Sequence, residues 1–451
     1  MTAMFNRILI ANRGEVALRV IRACKELGIH TVVVFSEADR GAHYLELADE
    51  AICIGPGPAR DSYLDISRIM SVAAISDADA IHPGYGFLAE NSRFAEICEH
   101  HQIKFIGPSP AAIETMGNKS KAKQLAVAND VPVVPGSRGL VESEAQAQEI
   151  AERIGFPVII KASAGGGGRG MRVAHNQVAL INGYHQARSE AEAAFKDGSV
   201  YIEKFIVNPR HIEIQLIGDE HGNILYLGER DCSLQRRHQK LVEESPSPVV
   251  DAAKRKEMGE AAVRLAKAGG YSNAGTVEFI MDSAGTWYFM EMNARIQVEH
   301  PVTEMVTGLD LIKLQIAVAA GHRLPITQEQ VTLRGHSIEC RINAEDPAND
   351  FKPSPGEIQR FFAPGGLNVR WDSHVMGGYR IPPNYDSMIG KLIVYGATRA
   401  EAIRTMVRAL DEMLVQGVAT TIPLQKELMM HARFHTGDVH TGFVEEYLAS
   451  R

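Results

Sequence analysis

Residues 290–299 combine side chains that can bind metal ions and anions with a strict two-residue alternation. The odd-numbered members are polar, namely Glu291, Asn293, Arg295, Gln297 and Glu299. The even-numbered members are apolar, namely Met290, Met292, Ala294, Ile296 and Val298. A period of two is typical of an extended strand whose two faces differ. We therefore predict one strand over 290–299 with its polar side chains on a single face.

A second strand, which carries Glu278, is predicted at residues 276–281 and is followed by the turn signal Asp282–Gly285. A four-residue loop over 283–286 would place Glu278 directly opposite Glu291. Two carboxylates about 5 Å apart repel by roughly 3 kcal/mol at an effective dielectric constant near 20. A divalent cation converts this repulsion into attraction, and oxygen-only ligands suit Mg²⁺ or Mn²⁺. The pattern favours a metal–nucleotide site over the alternative, a solvated hairpin face.

Composition and charge set the broad class of the protein. The chain has 451 residues, 45% of them hydrophobic, so it can bury large cores and should form about two to four domains. The formal net charge of −8, with no large basic face, argues against nucleic acid binding. The five cysteines form no Cys-x-x-Cys pair, which is typical of reduced thiols in a cytoplasmic protein. No signal peptide is recognisable and no apolar run approaches roughly 18 residues, so no membrane association is expected.

The first third of the chain alternates short apolar strands with amphipathic helices. A strand at 8–11 precedes a helix over 15–27 that ends at Gly28. Further strands are predicted at 31–36, 51–54, 80–82 and 104–106. This order is typical of a doubly wound parallel sheet, in which ligands bind beyond the carboxyl ends of the strands. The segment His82–Phe87 follows such a strand end and could line a cleft, although a glycine-rich turn with a packed aromatic ring explains it equally well.

A glycine run, Gly165–Gly170, formally matches G-x-G-x-x-G but lies in the wrong context for a dinucleotide-binding fold. We predict a strand at 157–162 before the run and another at 171–174 after it, so the run opens no helix. With Lys161 just before it, the run favours a mobile flap whose amides cover phosphates while the lysine neutralises an oxygen. The alternative is a flexible hairpin tip.

Three further stretches carry polar side chains suited to a nucleotide site, and one more defines a closing domain. They are a strand over 200–206 with Glu203 and Lys204, the alternating residues His211, Glu213 and Gln215, the basic cluster Arg236–Lys240, and a strand over 337–343 with Glu339 and Arg341. A triphosphate and a small anion need positive counter-charge such as the basic cluster offers. Solvated charge is an equally good explanation of that cluster.

Together these motifs resemble one family, the biotin carboxylases, which are ATP-grasp ligases. The resemblance spans nearly the whole chain and is carried by Ala11–Glu15, His82–Phe87, Lys161–Met171, Glu229–Ser233, Arg236–Lys240, Glu291–Pro301 and Glu339–Glu345. It implies an α/β protein with an amino-terminal doubly wound parallel sheet, a central ATP-grasp fold with a mobile lid, and an α+β carboxyl-terminal domain. The expected boundaries are 1–116, 117–334 with the lid near 133–206, and 335–451.

The resemblance also implies roles for individual residues. Expected to contact ATP are Lys119, Lys161, Gly167, Gly168, Glu203, Lys204, His211 and His238, with the backbone of Phe205 and Ile206 at the adenine. Expected to hold two Mg²⁺ or Mn²⁺ ions are Glu278, Glu291 and Asn293. Expected to bind bicarbonate are Lys240, Arg295, Gln297 and the amide of Val298.

The reaction that the resemblance implies is the carboxylation of biotin. Glu299 would deprotonate bicarbonate for attack on the γ-phosphate of ATP, giving carboxyphosphate and ADP. Carboxyphosphate would then yield CO₂ and phosphate, and phosphate would take the ureido proton of biotin. Arg341 would steady the resulting enolate in a cleft near Tyr85. Phosphoryl transfer mainly requires positioning and charge neutralisation, which this set of side chains offers.

Partner proteins are also implied. None of the 16 methionines precedes a lysine, so the chain lacks the Met-Lys motif of a biotinylated carrier. Biotin is therefore expected on a separate biotin carboxyl carrier protein, with carboxyltransferase subunits completing an acetyl-CoA carboxylase for fatty acid synthesis. Propionyl-CoA, pyruvate or 2-oxoglutarate systems are alternatives. Two other classes remain open: an ATP-grasp ligase that joins a carboxylate to an amine, and a non-catalytic nucleotide sensor.

The resemblance also implies a homodimer, which the family would form through the charged stripe Arg19, Arg22 and Glu26 on the first helix; the alternative for this stripe is a solvated face. Two departures from the usual family pattern bear on these expectations. Leu367 stands where relatives often have an aromatic residue at the dimer contact, and Ala164 stands where they commonly have glycine. We expect these changes to affect dimer strength and lid motion and not the chemistry.

Overall fold

The structure is a computed structural model that describes residues 4–137, 139–162, 171–195 and 198–450. The predicted ATP-contacting residues Gly167 and Gly168 lie outside the described residues, as does Ala164. The chain divides into two compact units. The first comprises Met1–Val131, Arg210–Phe279 and Glu291–Arg451, and the second comprises Pro132–Pro209 and Ile280–Met290.

The described chain contains both helices and strands throughout. The strands are β1 (Arg7–Ile10), β2 (His30–Phe35), β3 (Glu50–Cys53), β4 (Ala80–His82), β5 (Lys104–Phe105), β6 (Val158–Ala162), β7 (Met171–Ala174), β8 (Val200–Lys204), β9 (Arg210–Gly218), β10 (Ile224–Arg236), β11 (Gln239–Ser245), β12 (Asn273–Met281), β13 (Trp287–Asn293), β14 (His336–Asn343), β15 (Glu345–Asp346), β16 (Lys352–Pro353), β17 (Gly356–Glu357), β18 (Arg360–Phe362), β19 (Val369–Asp372), β20 (Arg380–Ile381), β21 (Met388–Gly396) and β22 (Leu414–Gln416). The α-helices are α1 (Gly14–Glu26), α2 (Tyr44–Leu47), α3 (Ile66–Ile75), α4 (Ser92–His100), α5 (Pro110–Gly117), α6 (Lys119–Ala128), α7 (Glu144–Ile154), α8 (Gln177–Phe195), α9 (Ala252–Ala268), α10 (His300–Thr307), α11 (Leu311–Ala319), α12 (Arg399–Glu412), α13 (Ile422–Met430), α14 (Ala432–Thr436) and α15 (Phe443–Ala449).

The amino-terminal sheet has the doubly wound parallel topology that the alternating pattern predicts. Its strand order is β3–β2–β1–β4–β5, and every pair is parallel. The order reverses between β1 and β4, which is where ligands of such sheets bind. Ala11–Gly14 follows β1 and His82–Phe87 begins at the end of β4. Both motifs therefore lie at the carboxyl edge of the sheet, at its switch point.

An eight-stranded sheet, of order β13–β12–β9–β10–β11–β14–β21–β19, carries most of the predicted site residues. The pairs with a described register, from β9 to β19, are antiparallel. The polar positions of β9 are buried, because His211 is 8% exposed and Glu213 and Gln215 are 0% exposed. Such burial of polar groups requires compensating partners, which the neighbouring strands supply.

The prediction of one strand over 290–299 is wrong beyond Asn293. β13 ends there, a loop follows, and α10 begins at His300. The amide of Ala294 donates to a carboxylate oxygen of Glu90 at 2.9 Å, so a side chain takes the hydrogen bond that a neighbouring strand would otherwise accept. Burial also departs from the predicted alternation, because Met290 is 42% exposed whereas the polar residues Gln297 and Glu299 are 3% and 1% exposed.

The turn before β13 also differs from the prediction. The amide of Asp282 donates to the carbonyl of Thr286 at 2.9 Å, so this pair closes a three-residue loop and not the predicted four-residue loop. Gly285 has a φ angle of 80°, which suits the left-handed position at the end of such a loop. The register inferred from a four-residue loop is therefore wrong at the turn.

The second unit contains a three-stranded antiparallel sheet of order β7–β6–β8, with α7 and α8 packed against it. Its core includes Val158, Ile160, Leu180, Val200 and Ile202. Strands β6 and β7 pair directly, with Lys161 opposite Met171, so the glycine run connects two neighbouring strands as predicted.

The described cysteines are free thiols, in agreement with the reduced state expected from their spacing. Burial raises the pKa of Cys24 and of Cys98 to about 12, so these thiols stay protonated at neutral pH. Across the described ranges, no helix combines the length and the apolar character needed to cross a membrane.

Candidate active site

The ammonium group of Lys240 contacts three carboxylates of the first unit. Lys240 follows a two-residue turn, Arg237–His238, whose φ angles of 49° and 65° allow β10 and β11 to pair closely. Its Nζ atom lies 2.7 Å from Glu213, 3.2 Å from Glu278 and 2.5 Å from Glu299. Burial lowers the pKa of Lys240, but these carboxylates raise it well above its ordinary value. The lysine is therefore a permanent positive charge.

Glu278, on β12, is surrounded by donors. The donors to one of its oxygens are Lys240 Nζ at 3.2 Å, Asn293 Nδ2 at 2.9 Å and Gln297 Nε2 at 2.7 Å, and His211 Nε2 lies 3.0 Å from the other oxygen. Burial raises the pKa of Glu278, but Lys240 and His211 lower it, and the net pKa is well below its ordinary value. Glu278 is therefore ionised at neutral pH.

Arg341 and Glu299 form an ion pair that extends this cluster. Nη2 of Arg341 lies 3.0 Å from Glu299, and its Nε donates to Glu243 at 2.6 Å. Burial raises the pKa of Glu299, but Lys240, Arg341 and Arg230 lower it well below its ordinary value. Burial raises the pKa of Glu243 to about 7, against the opposing charge of Arg341. Glu299 is thus an ionised carboxylate held between two cations.

Arg230, on β10, is 0% exposed and was not singled out from the sequence. Its guanidinium donates to Glu213 at 2.5 Å and to Gln297 at 3.2 Å. Because Glu213 also binds Lys240, Arg230 fixes the carboxylate that in turn holds the lysine. The only sequence signal for this residue was its position inside Glu229–Ser233, one of the segments that carry the family resemblance.

Arg295 lies in the loop after β13 and is oriented by Glu90, another residue missed in the sequence. Nε of Arg295 lies 2.9 Å from Glu90, whose second oxygen accepts the amide of Ala294. Nη2 of Arg295 donates to the side-chain oxygen of Asn293 at 3.0 Å. The arginine side chain is 21% exposed, so it remains accessible to an anion.

Glu291, the second predicted metal ligand, forms an ion pair with Lys119, a predicted ATP-contacting residue. Nζ of Lys119 lies 2.7 Å from Glu291, and the lysine side chain is 81% exposed. In the described part of the chain, the groups of three His, Cys, Asp or Glu residues whose ligand atoms lie within 4.8 Å of one another are His211–Glu213–Glu278 and Glu213–Cys232–Glu299. Glu278 belongs to one of these groups and Glu291 to neither, so the predicted ligand set stays a prediction.

The second unit carries the predicted ATP-contacting residues of strands β6 and β8 and of the segment that follows β8. Nζ of Lys161 lies 2.7 Å from Glu203. Nζ of Lys204 donates to two backbone carbonyls, at 3.0 and 2.8 Å. The amide of Phe205 donates to a backbone carbonyl at 3.0 Å, and Ile206 follows it half-buried. The Lys161–Glu203 pair places one cation beside one carboxylate in this unit.

The other predicted residues lie in the first unit. His238 is exposed in the turn between β10 and β11. The hydroxyl of Tyr85 donates to Glu15, and burial, aided by Glu15, raises the pKa of Tyr85 well above its ordinary value. Val298 accepts a hydrogen bond at its carbonyl from Lys391 Nζ at 2.8 Å.

Most of the predicted residues of the first unit therefore belong to one set of contacts, which we call the charged network. Its members are His211, Lys240, Glu278, Asn293, Arg295, Gln297, Glu299 and Arg341. It joins two ionised carboxylates to three cations within a largely buried site. Such a site can bind a small anion and also accept a proton from it.

Three family models together match most of the chain. The biotin carboxylase amino-terminal domain matches residues 4–113, and the biotin carboxylase carboxyl-terminal domain matches residues 339–446. The ATP-binding domain of the carbamoyl-phosphate synthase L chain matches residues 118–327.

Individual proteins are similar over nearly the full length. A biotin carboxylase from Nostoc sp. is 57% identical over 98% of this chain and 99% of its own length. A pyruvate carboxylase subunit from Methanothermobacter thermautotrophicus is 55% identical over 98% of this chain and 90% of its own. A crystal structure of the biotin carboxylase domain of 2-oxoglutarate carboxylase from Hydrogenobacter thermophilus, in complex with MgADP, ADP and bicarbonate, is 50% identical with a TM-score of 0.90. That comparison covers 99% of this chain and 98% of the other.

Proposed function

Because the chain belongs to the biotin carboxylase family of ATP-dependent ligases, we propose that it carboxylates biotin on a separate carrier protein, using bicarbonate and ATP. The observation that carries this proposal is the placement of Lys240 and Arg341 on the two oxygens of Glu299. A base for bicarbonate and the cations that bind anions thus lie in one buried site. Carboxyphosphate and ADP are the first products that we propose.

The bicarbonate site consists of Lys240, Arg295, Gln297 and the amide of Val298. The two cations neutralise the anion, and the amide groups fix its orientation. Glu299, already in contact with Lys240, takes the proton of bicarbonate as it attacks the γ-phosphate. The resulting charge is stabilised by groups that are ordered before the reaction, which is the main requirement of phosphoryl transfer.

We propose roles in contacting ATP for residues of each unit taken by itself. In the first unit they are Lys119, His211 and His238. In the second unit they are Lys161, Glu203, Lys204 and the backbone of Phe205 and Ile206. We retain 1–116, 117–334 and 335–451 as the proposed domains, with a lid near 133–206. The strand–glycine run–strand arrangement of β6 and β7 suits a lid whose amides cover phosphates.

The donor set of the first unit fits a divalent cation. Glu278 is ionised and offers a carboxylate, as does Glu291, and Asn293 offers an amide oxygen; oxygen ligands of this kind suit Mg²⁺ or Mn²⁺. We propose that these three residues hold two such ions. Bound there, the ions would neutralise phosphate oxygens of ATP. Lys119, paired with Glu291, would then be released toward a phosphate.

The metal proposal predicts the behaviour of Glu291→Gln. Glutamine keeps the shape of the side chain but removes the charge, so the Mg²⁺ concentration that half-saturates ADP formation should rise by about tenfold, roughly 1.4 kcal/mol. The matched control is Glu114→Gln, which breaks a comparable exposed ion pair with Lys121 at 2.7 Å. An unchanged Mg²⁺ dependence in Glu291→Gln would show that this residue is not a metal ligand.

For the pathway, we propose that the chain catalyses the first half-reaction of an acetyl-CoA carboxylase and so serves fatty acid synthesis in the cytoplasm. Its support is the similarity to proteins that are named simply biotin carboxylase, with no pyruvate or 2-oxoglutarate in the name. Subunits of pyruvate and 2-oxoglutarate carboxylases are about equally similar, so their acceptors are the competing candidates. Copurification distinguishes them, because the carboxyltransferase that accompanies the chain identifies the acceptor.

The carrier proposal predicts that biotin is a substrate and not a covalent group of this chain. The purified chain of residues 1–451 should be negative on an avidin blot, since no methionine precedes a lysine. It should nevertheless carboxylate free biotin slowly when supplied with ATP, Mg²⁺ and bicarbonate. ADP release that needs bicarbonate but yields no carboxybiotin would refute the proposed function, and an avidin-positive band at 49.3 kDa would refute the separate carrier.

We also propose a homodimer. Arg22 and Glu26 are exposed on α1, whereas the guanidinium of Arg19 binds two carboxylates of its own chain at 3.0 and 2.6 Å. Leu367 is 88% exposed, and an apolar side chain so exposed could pack against a second copy. Light scattering at micromolar concentration should give about twice the chain mass of 49.3 kDa. A monomer mass under these conditions would contradict a stable dimer.

A further inference from the structure

The segments Ala11–Glu15 and His82–Phe87 contact each other through Asn12 and Glu15 of the first segment. Nδ2 of Asn12 donates to the carbonyls of Pro83 and Tyr85, each at 2.7 Å. A Cβ atom on Gly84, whose φ is 63°, would lie 2.9 Å from that same Nδ2 atom, so the turn approaches Asn12 too closely for another residue. Glu15 accepts the hydroxyl of Tyr85. The glycine-rich turn is therefore fixed at its backbone by one residue and at its aromatic side chain by another.

Glu15 also contacts a buried lysine that reaches the opposite side of the site. Lys391, on β21, is 0% exposed, and its Nζ lies 3.2 Å from Glu15. The same ammonium donates to the carbonyl of Val298 at 2.8 Å. That carbonyl belongs to the peptide group between Val298 and Glu299. A continuous series of contacts thus runs from Tyr85 through Glu15 and Lys391 to the backbone that carries Glu299.

The buried ammonium depends on Glu15 for charge compensation. Burial lowers the pKa of Lys391, and Glu15, ahead of Glu339 and Asp372, raises it above its ordinary value. Glu15 makes the direct contact, with its carboxylate oxygen 3.2 Å from the Lys391 Nζ atom, whereas both buried oxygens of Glu339 lack a hydrogen-bond partner among the described residues. Because a poorly compensated buried charge is costly, we expect a change at Glu15 to alter the position of Lys391.

We propose that Glu15 and Lys391 form a positioning pair that makes the geometry of the bicarbonate segment, Val298–Glu299, depend on Tyr85. The inference rests on the proposed function, because it assumes biotin beside Tyr85 and bicarbonate beside Glu299. Neither member of the pair is among the residues that we propose to contact a substrate. Glu15 is shared between the tyrosine hydroxyl and the ammonium, so a change at the hydroxyl alters how strongly Lys391 holds the Val298 carbonyl. Arrival of biotin is thereby communicated to the base that begins the reaction.

The test measures bicarbonate use in the absence of biotin, where a direct contact between Tyr85 and biotin has no effect. The readout is the KM for bicarbonate in ADP release. Tyr85→Phe removes only the hydroxyl and should raise this KM by about threefold or more, because residues linked by contacts are coupled. In a Glu15→Gln background the same substitution should change the KM by less than about 1.5-fold. Tyr447→Phe is the matched control, since it removes another tyrosine–glutamate hydrogen bond, to Glu427 at 2.9 Å.

Each result has a defined meaning. An unchanged KM for bicarbonate in Tyr85→Phe would overturn the positioning pair even if Glu15→Gln failed to fold. Equal effects of Tyr85→Phe in both backgrounds would overturn it as well. An equal rise in Tyr447→Phe would assign the effect to general destabilisation and also overturn it. If the unmodified chain shows no bicarbonate-dependent ADP release, the proposed function itself fails, which is a separate outcome seen before any substitution is made.

Discussion

Glu299→Gln should reduce bicarbonate-dependent turnover by about 10²–10⁴-fold, the usual contribution of a general base. Glutamine preserves the shape of the side chain, and its single amide oxygen can accept a hydrogen bond from one of the two cations, Lys240 or Arg341, which contact different oxygens of Glu299. It cannot accept the proton of bicarbonate. The loss should therefore appear in kcat for ADP release at saturating bicarbonate and ATP, with little change in the binding of ATP.

The matched control for this substitution is Glu304→Gln. Glu304 lies on α10, close in sequence to Glu299, is 6% exposed, and binds Arg19 at 3.0 Å and Arg370 at 2.7 Å. It is thus a buried carboxylate between two arginines, but outside the charged network. A loss limited to Glu299→Gln supports the role of the base. Equal losses in both variants, or an unchanged kcat in Glu299→Gln, would leave Glu299 as a structural ion-pair partner only.

The environment of Glu299 explains how a carboxylate with a lowered pKa can serve as this base. In the free protein Lys240 and Arg341 hold its pKa well below the ordinary value, so it stays ionised and ready to accept a proton. It is then a weak base, because its charge is already neutralised. Bicarbonate and phosphate oxygens bring negative charge to the same cations, which raises the pKa of a neighbouring carboxylate. We therefore expect substrate binding to raise the basicity of Glu299 in its proposed role.

Sequence periodicity predicted the amino-terminal doubly wound sheet and most of its elements, because strands and helices there obey local rules, whereas the ATP-grasp fold was implied by the family resemblance. The strand predicted at 8–11 corresponds to Arg7–Ile10, and the helix predicted over 15–27 corresponds to Gly14–Glu26. The same rule failed over 290–299. Beyond Asn293 the alternation continues, yet the backbone leaves the sheet because Glu90, far away in the sequence, accepts the amide of Ala294.

The sequence led to predictions for residues that would contact ligands, and these roles stay predictions; it did not identify the buried residues whose contacts hold those side chains in place. Arg230, Lys391 and Glu15 are buried charges whose partners come from other parts of the chain. Local periodicity indicates which face of a helix or strand is apolar. A charged residue in a buried strand does not fit that pattern, and its burial is understandable only when its ion-pair partner is known. Only the three-dimensional structure supplies the partner, so these residues could not be assigned from periodicity.

Arg341→Ala should separate the two halves of the reaction. Arg341 is proposed to steady the biotin enolate, so carboxybiotin formation should fall by about 10²-fold, as it does when one donor to a developing oxyanion is removed. Bicarbonate-dependent ATP hydrolysis should fall by less than about tenfold, because the substitution leaves in place Lys240, which lies 2.5 Å from Glu299 in the unmodified chain. The measurement is the amount of carboxybiotin formed per ATP hydrolysed, with free biotin as the acceptor.

This ratio makes the experiment insensitive to loss of folded protein, which matters because Arg341→Ala leaves Glu243 without its ion-pair partner. Burial already raises the pKa of Glu243 to about 7, so without the arginine this carboxyl should take up a proton and avoid an unpaired buried charge. Arg399→Ala is the matched control, since it removes a bidentate ion pair with the neighbouring buried carboxylate Glu244, at 2.6 and 3.1 Å. It should leave the ratio unchanged. A ratio that also stays constant in Arg341→Ala, with both activities falling in parallel, would move Arg341 from the biotin enolate to the bicarbonate or phosphate site.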